Sequence, residues 1–287
     1  MAAARARSMA GAAAALHVTP AAVSLGIAQL ERVVHAPLFL RGRRRPLALT
    51  AMGRDLFATA LAIVSETEEL VAKLDDRDDD LSGTLYLGCF PTLAPIVAPT
   101  LVTAMSQRHP GVRVELDEAA SDDLQRRLLD GTSELALLYG IDLVPGVSGE
   151  RVAEMHAYVV LPVSHRLATR RSVRLQLLAD EPMILLDSPP SRHHALSSLA
   201  TAGVSPRVER VTHNFETLRS FVARGHGWGL LVQRPAVDVS YEGLPIAAVP
   251  IADDLEPVPV VMASAAGTRL SRRARACVEV AHSIFAA

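Results

Sequence analysis

The chain has 287 residues, of which 49% are hydrophobic and 21% are charged. This apolar content is sufficient for a folded core and excludes intrinsic disorder as the overall state, and the length predicts two domains at about 150 residues each. No uninterrupted apolar run of about 18 residues occurs, so the sequence predicts no transmembrane helix and no membrane partner. We interpret the alanine-rich start as structure rather than as a targeting signal.

The two cysteines, Cys89 and Cys277, are too few for a disulfide framework or a zinc site. This count favours two buried thiols in a reducing cytoplasm, where we expect the protein to act. A redox role for Cys89 is the alternative.

Charge is separated along the chain. Residues 1–50 contain seven arginines and one acid, Glu31, for a net charge of +6, whereas residues 51–80 contain three basic and nine acidic residues, for −6. A basic segment on an otherwise nearly balanced chain indicates a contact with a polyanion. An ordinary solvated basic face would be the simpler interpretation if this segment carried no motif.

The basic segment has the pattern of a helix-turn-helix. Thr19 is a good N-cap and Pro20 suits the first helical position. Apolar residues then recur at spacings of four, three and four, which predicts one buried helix face; they are Val23, Ile27, Leu30 and Val34. The opposite face carries small or polar residues that could approach DNA bases in the major groove. The predicted DNA contacts of this helix are Thr19, Pro20, Ala21, Ser24, Leu25 and Gln29.

A basic loop follows this helix and predicts a wing. Four arginines lie within five residues, which suits contacts with phosphates or the minor groove; they are Arg41, Arg43, Arg44 and Arg45. Thr50 then caps the next predicted helix.

The segments ALHVTPAAVSLGIAQLE and APLFLRGRRRPLALTAMG resemble the DNA-binding signature of LysR-type transcriptional regulators. The resemblance combines the helix-turn-helix, the LF-x-R entry to the wing and the LT-x-x-G start of the linker helix. The sequence departs from this pattern twice. Only seven residues precede Ser8, so we expect a truncated first helix. Leu25-Gly26 stands where such regulators usually have polar or basic residues, and a glycine within a helix costs about 1 kcal/mol relative to alanine.

The segment from Thr50 to about Asp75 predicts a dimerising linker helix. Its apolar seam alternates spacings of four and three, and consists of Leu56, Ala60, Ile63, Thr67, Leu70 and Leu74. Packing against the chain's own domains is the alternative. The acidic, glycine-terminated stretch DDRDDDLSG marks a hinge. We therefore expect a DNA-binding domain at 1–50, the linker helix and hinge at 51–80, and an effector-binding domain at 81–287.

The C-terminal region alternates short apolar strands with helices, which predicts parallel βαβ units. Segments such as PVSHRLA and NFETLRSFVARGHGWGLLVQRP are similar to landmarks of the LysR effector domain. The predicted fold class is therefore α/β, with an N-terminal all-α winged helix-turn-helix, a linker helix and a two-lobed domain like a periplasmic binding protein. Lobe I is expected at about 83–155 and 255–287, and lobe II at about 156–254.

The cleft between two such lobes predicts a site for a small effector. Strand-to-helix turns supply hydroxyl and amide groups, and Thr92 and Ser121 are the leading candidates because each can cap a helix while facing an anion. The other predicted contacts are Phe90, Ser191, His213 and Asn214. The resemblance implies that the effector is a small acidic metabolite.

The sequence predicts no enzyme, cofactor or metal site. No nucleophile elbow, phosphate loop or dinucleotide fingerprint occurs, and His193, His194 and His213 lack a carboxylate or cysteine at ligand spacing. Three hypotheses remain: a ligand-responsive regulator, a small-molecule-binding protein whose DNA binding is impaired by the missing first helix, and an α/β enzyme. We expect the first, with double-stranded DNA, a small effector and a second copy as partners in a homodimer or homotetramer.

Overall fold

The computed structural model describes residues 1–6, 8–40, 47–74 and 81–286. The N-terminal head and its long helix consist of α1 (Ala2–Ala6), α2 (Met9–Ala15), α3 (Pro20–Val33), β1 (Phe39–Leu40), β2 (Ala48–Leu49) and α4 (Ala51–Leu74). A side-chain oxygen caps the first turn of α2 and of α3, as expected of N-cap residues. Ser8 Oγ accepts from the Gly11 amide at 2.9 Å, and Thr19 Oγ1 accepts from the Ala22 amide at 3.2 Å.

The head has a small core of its own. Its buried members come from α1, α2, β1 with the residue before it, and α4; they are Ala3, Ala4, Ala12, Leu38, Phe39 and Phe57. Val23, Ile27 and Val34 of the predicted buried face pack against this core, but Leu30 is 44% exposed, so its predicted burial is wrong. At about 100° per residue Leu30 lies on the edge of that face away from Ile27, beyond the reach of a small core.

The long helix α4 begins where the sequence predicts. Thr50 Oγ1 accepts from the Gly53 amide at 3.0 Å and donates to the Pro37 carbonyl at 2.7 Å, which ties the helix start to the head. In the predicted seam, Leu56 packs on the head core, whereas Ile63 is 58% exposed. The predicted hinge at 75–80 lies outside the described residues.

The C-terminal region alternates strands and helices and includes a short 3-10 helix, Leu175–Leu178. In chain order its strands and α-helices are β3 (Ser82–Cys89), α5 (Ala94–Arg108), β4 (Gly111–Glu118), α6 (Ser121–Leu129), β5 (Leu135–Tyr139), β6 (Val147–Met155), β7 (Tyr158–Pro162), β8 (Pro182–Leu186), α7 (Ser191–Thr201), β9 (Arg207–Thr212), α8 (Phe215–Ala223), β10 (Gly229–Leu231), β11 (Ile246–Pro250), β12 (Val258–Ala265) and α9 (Arg272–Phe285).

Two sheets divide this region into two lobes. Lobe I contains the sheet β4-β3-β5-β12-β6, in which β3 is parallel to β4 and β5, and β12 is antiparallel to both of its neighbours. Lobe II contains the antiparallel sheet β10-β7-β11 and the parallel pair β8-β9. Backbone hydrogen bonds of Trp228 with Pro182 and Ile184 join these two parts of lobe II. The chain passes from lobe I to lobe II after β6 and returns before β12, so two crossings connect the lobes.

This arrangement confirms the predicted fold class, with one strand that the sequence analysis missed. The unpredicted β6 is mostly exposed and carries the polar run SGER, so it shows neither a continuous apolar run nor clean alternation. Among the described residues no single helix is long and apolar enough to cross a membrane; α2 and α3, bent by 105° at their break, meet that criterion only as a pair.

Candidate functional site

The outer face of α3 is open to solvent. Ala21, Ser24 and Gln29 are exposed, as is Leu25, whose exposed fraction is 56%. Thr19 and Pro20 at the start of the helix are exposed as well. A helix that presents small and polar side chains on one face, with its other face on the head core, can enter a DNA groove without clashing.

The chain that leads into the wing is held against this helix by a contact that the sequence does not predict. Glu31 Oε1 accepts from the Leu38 amide at 2.8 Å and from the Phe39 amide at 3.4 Å. Phe39 and Leu40 of β1 then pair antiparallel with Leu49 and Ala48 of β2. Glu31 therefore fixes the chain that enters the wing relative to the helix on which it lies.

The predicted wing arginines belong to the segment that joins β1 to β2. Arg41, Arg43, Arg44 and Arg45 lie outside the described residues. The described residues that flank them, Leu40 and Ala48, pair antiparallel.

The head also contacts lobe I. The Arg5 guanidinium lies 4.0 Å from the centre of the Tyr86 ring and 5.9 Å from that of Phe57, which is cation–π geometry. A cleft of about 510 Å³ lies beside this contact, lined by α1, β2, β3, β4 and α6. This cleft separates the head from lobe I, and so it is not the predicted cleft between the lobes.

In the first strand-to-helix turn of lobe I, Phe90 and Thr92 both contact the buried Tyr139. Thr92 Oγ1 is 3.2 Å from the Tyr139 hydroxyl, and the Phe90 ring meets the Tyr139 ring edge to face at 5.6 Å. The prediction that Thr92 caps the following helix is wrong. Leu93 is the N-cap of α5 and its side chain cannot accept a hydrogen bond; the Phe90 carbonyl accepts from the Leu93 and Ala94 amides instead.

Ser121 is placed differently from its prediction. It is the first residue of α6, and Ala120 is the N-cap, so the expected capping bond is absent. Ser121 is 8% exposed, and its hydroxyl accepts instead from Gln125 Nε2 at 3.2 Å. Gln125 also bonds the backbone of Asp142 and Val144, so Ser121 belongs to a network that fixes the loop after β5.

Three predicted contacts lie on lobe II. Asn214 is a true N-cap, since its Oδ1 accepts from the Glu216 and Thr217 amides, each at 2.9 Å. The exposed His213 places Nδ1 2.5 Å from the Asp187 carbonyl. Ser191 begins α7 but does not cap it, because Pro190 occupies the N-cap position.

The structure adds a residue pair that joins the lobes. The Tyr139 hydroxyl of lobe I donates to Gln233 Oε1 of lobe II at 3.3 Å, and the Tyr158 hydroxyl donates to the Gln233 carbonyl at 2.9 Å. Burial raises the pKa of both tyrosines, that of Tyr158 to about 12, so both hydroxyls keep their protons at neutral pH. The sequence signal for Gln233 is weak: a polar residue soon after a short buried strand.

The two cysteines and His194 have pKa shifts that arise mainly from burial. Burial raises the pKa of the Cys89 and Cys277 thiols to about 12 each, which disfavours a redox role for Cys89. Burial, followed by the charge of His193, lowers the pKa of His194. Within the described ranges, histidines, cysteines and acids form no group of three that could hold a metal ion.

Comparisons with known proteins cover both parts of the chain. Residues 1–54 match the family described as "Bacterial regulatory helix-turn-helix protein, lysR family", and residues 78–286 match "LysR substrate binding domain". A probable hydrogen peroxide-inducible genes activator from Mycobacterium avium is 32% identical over 199 residues, which are 69% of this chain and 64% of that protein. The transcriptional activator IlvY of Salmonella typhimurium is 27% identical over 76% of this chain and 74% of its own length.

Solved structures give the same result. The C-terminal domain of a probable LysR family regulator from Rhodococcus sp. RHA1 is 41% identical, with a TM-score of 0.67 over 70% of this chain and 99% of that domain. A putative LysR family regulator from Pseudomonas aeruginosa is 27% identical, with a TM-score of 0.70 over 99% of this chain and 95% of its own.

Proposed function

Because the chain belongs to the LysR family of bacterial transcriptional regulators, we propose that it binds double-stranded DNA through α3 and the arginine segment between β1 and β2. Its two-lobed domain then senses a small, anionic metabolite in the cytoplasm. Members of this family are DNA-binding regulators and not enzymes, so the chain carries no catalytic role.

The exposed face of α3 carries the DNA-binding proposal. Ala21, Ser24 and Gln29 are available to base edges, while the glutamine amide can bond adenine in two places. Glu31 holds the two residues that lead into the wing, Leu38 and Phe39, against α3. Arg41, Arg43, Arg44 and Arg45 would supply the phosphate contacts, which position the head without reading sequence.

The ends of four strands support an effector site between the lobes. Strands β3 and β4 lead into α5 and α6, and strands β8 and β9 lead into α7 and α8, so backbone amides of both lobes point toward the turns. Thr92 and Ser121 from lobe I, with Phe90, would face Ser191, His213 and Asn214 from lobe II. Amide and hydroxyl donors of this kind suit an anionic effector.

The exposed apolar residues of α4 support self-association. Ile63, a member of the predicted seam, is 58% exposed, and the neighbouring Val64 is 39% exposed. A homodimer, or a homotetramer of two such dimers, would bury them and present two reading helices to a two-fold DNA site. An effector that favours one angle between the lobes would then shift the spacing of the heads.

The cysteines do not favour a response to hydrogen peroxide of the kind named for the Mycobacterium relative. Cys89 and Cys277 are buried with a raised pKa and lie on different elements, β3 and α9. The second hypothesis, a binding protein that no longer holds DNA, is not favoured either. Residues 1–54 match the helix-turn-helix family, and α1 contributes Ala3 and Ala4 to the head core.

A salt titration tests the proposal. The full chain is titrated with a duplex selected from a random-sequence pool and with a scrambled duplex of equal length. We expect tight binding to the selected duplex, weaker binding to the scrambled one, and affinities whose logarithm falls linearly with the logarithm of salt concentration. Weak, salt-insensitive binding to both duplexes would instead support the binding-protein alternative.

A further inference from the structure

Arg5 of α1 meets an aromatic ring of lobe I. Its guanidinium carbon lies 4.0 Å from the centre of the Tyr86 ring and 5.9 Å from the centre of the Phe57 ring, which belongs to the head. Cation–π attraction extends to about 6 Å from a ring centre, so the contact with Tyr86 is close and the contact with Phe57 lies at the limit. One arginine side chain therefore lies near a ring of the head and a ring of lobe I.

The Tyr86 ring is the principal described partner of this guanidinium. Arg5 Nε is buried and makes no hydrogen bond to the described residues. A cation–π contact gains strength when the cation is withdrawn from water, so this burial favours a contact of real weight. The acids that line the adjacent cleft are engaged by neighbours in lobe I; the pairs are Glu115 with Arg113, Asp117 with Arg127, and Asp130 with Thr132.

A cleft separates the head from lobe I beside this contact. The head core and the lobe I core are separate clusters of the described residues. The cleft has a volume of about 510 Å³, with Arg5 and Arg54 on its head side and Tyr86 and Leu116 on its lobe I side. The contact between Arg5 and Tyr86 therefore bridges a gap and is not one part of a continuous apolar interface.

Both ends of this bridge rest on fixed elements. Tyr86 lies on β3, which pairs with β4 on one side and β5 on the other, and its neighbours Leu85 and Leu87 are buried in the lobe I core. Arg5 lies on α1, whose buried alanines belong to the head core. Because neither backbone can move without disturbing a core, the contact restrains the direction of the head as well as its distance from lobe I.

We propose that Arg5 and Tyr86 are a positioning pair, a latch that holds the head on lobe I and so sets the direction in which α3 faces DNA. The inference rests on the proposed function, because it concerns how the proposed reading face is aimed. The two residues lie on α1 and β3, away from the exposed face of α3, so they act on orientation and not on base contacts. In a dimer, two latched heads accept half-sites at one separation, whereas released heads follow half-sites at several separations.

Hydroxyl-radical footprinting of the full chain, read by mass spectrometry, tests the latch without DNA. Loss of the contact in Arg5→Gln should shift the balance between latched and released heads by about 5-fold to 30-fold, the weight of one partly desolvated cation–π contact. Labelling of Leu116, on the lobe I side of the cleft, should therefore rise. Tyr241, which is 87% exposed, is the internal reference. Arg5→Lys keeps a cation and should stay close to the wild type, and Arg170→Gln at an exposed position of lobe II is the matched control.

Binding to duplexes of different half-site separation tests the aim of the head. The duplex selected from the random pool is lengthened at its centre by single base pairs, and the affinity of each version is measured. The wild type should lose affinity steeply, because each added base pair moves and rotates one half-site. Arg5→Gln and Tyr86→Leu should lose less, and the double variant no less than either, since both remove one contact. Tyr86→Phe keeps the ring and should behave as the wild type, as should Tyr241→Leu, the matched control.

The two experiments fail in different ways. Unchanged labelling of Leu116 in Arg5→Gln would show that the head stays on lobe I without this contact, and the inference would be wrong. Increased labelling with a wild-type dependence on half-site separation would overturn it as well, because the latch would then not aim the head. If the wild type binds no duplex, the proposed function is wrong, while the labelling still decides whether the latch exists. If Arg5→Gln does not fold by circular dichroism, Tyr86→Leu tests the latch from the lobe I side through the same labelling of Leu116.

Discussion

The head and the lobed domain use their polar side chains in opposite ways. On α3, Ser24 and Gln29 are exposed and lie on a face that no described element covers. At the junction of the lobes, the hydroxyl and amide groups of Tyr139 and Gln233 are buried and bonded to each other. The head thus offers a polar surface, whereas the lobed domain holds these polar groups in an internal network.

This difference predicts which substitutions change DNA binding alone and which also change stability. Changes on the reading face of the head should alter DNA binding and leave stability intact, because its described side chains are exposed, and we expect the same of the wing arginines. Changes at the junction or inside the lobes should alter stability as well, because buried polar groups and closely packed backbone there depend on their neighbours.

The largest expected effect is on lobe II. Gly227 has a φ of +143°, and a Cβ atom there would lie 2.2 Å from the Pro182 carbonyl oxygen. Gly227→Ala should therefore prevent lobe II from folding, since alanine disfavours this backbone conformation and its methyl group would overlap β8. Urea unfolding followed by the fluorescence of Trp228 measures this. Gly225→Ala is the control: its φ is +79° but no atom lies within 4 Å, so it should cost only about 1–2 kcal/mol.

The second effect concerns the thiols of lobe I. Burial raises the pKa of Cys89 and Cys277 from 9.0 to about 12, so at pH 7 the thiolate fraction falls by about 1000-fold relative to the unfolded chain. We expect Ellman's reagent to label the protein in urea but hardly at all in buffer, and peroxide to leave DNA binding unchanged. Rapid labelling of the native protein would show that lobe I opens.

The same pKa shifts set a pH window for stability. A thiol whose pKa is raised in the folded state favours folding fully below the unfolded value of 9.0, and this contribution is lost as the pH rises toward about 12. The free energy of unfolding should therefore decrease between pH 9 and pH 12. Cys277→Ala should make that decrease smaller, whereas an unchanged slope would contradict the shift.

Substitutions in the wing should change DNA binding rather than stability. Replacing Arg43 and Arg44 with alanine should weaken binding to selected and scrambled duplexes alike, and should reduce the salt slope by about 1.8, or about 0.9 for each phosphate that an arginine no longer neutralises. Stability should not change. Arg170→Ala with Arg171→Ala removes the same charge from an exposed part of lobe II and serves as control. An unchanged slope in the wing variant would count against a phosphate role.

The reading face should affect sequence preference instead. Gln29→Ala should weaken binding to the selected duplex by about 1–3 kcal/mol and leave the scrambled duplex unaffected, because base contacts discriminate and phosphate contacts do not. Competition binding with both duplexes measures the difference. Equal losses on the two duplexes would mean that Gln29 contacts the backbone of DNA.

The sequence was informative where the physics is local. Thr19 and Thr50 cap their helices as predicted, because a cap depends on residues three apart or fewer. The predicted caps at Thr92 and Ser121 were wrong because the helix starts are set by tertiary context: the Phe90 carbonyl binds the first amides of α5, and Ala120 takes the cap position of α6.

The junction of the lobes could not be predicted from the sequence. Tyr139 and Gln233 are 94 positions apart, and only the two crossings between the lobes bring them together. The role of Glu31 could not be predicted for a related reason. Its partners are the amides of Leu38 and Phe39, and the sequence does not show which amides a helical carboxylate will bond. Long-range pairs of this kind are fixed by the fold as a whole.

The smallest predicted effect separates stability from binding within α3 itself. Gly26 is exposed, and a Cβ atom there would meet nothing within 4 Å. Gly26→Ala should therefore stabilise the head by about 0.5–1 kcal/mol, since alanine loses less backbone entropy in a helix. At about 100° per residue, position 26 lies outside the arc of Ala21, Ser24 and Gln29, so affinity for the selected duplex should stay the same. Thermal unfolding and the DNA titration measure the two quantities. A variant that is more stable but binds DNA less well would place the helix backbone at Gly26 against the duplex and so widen the reading face.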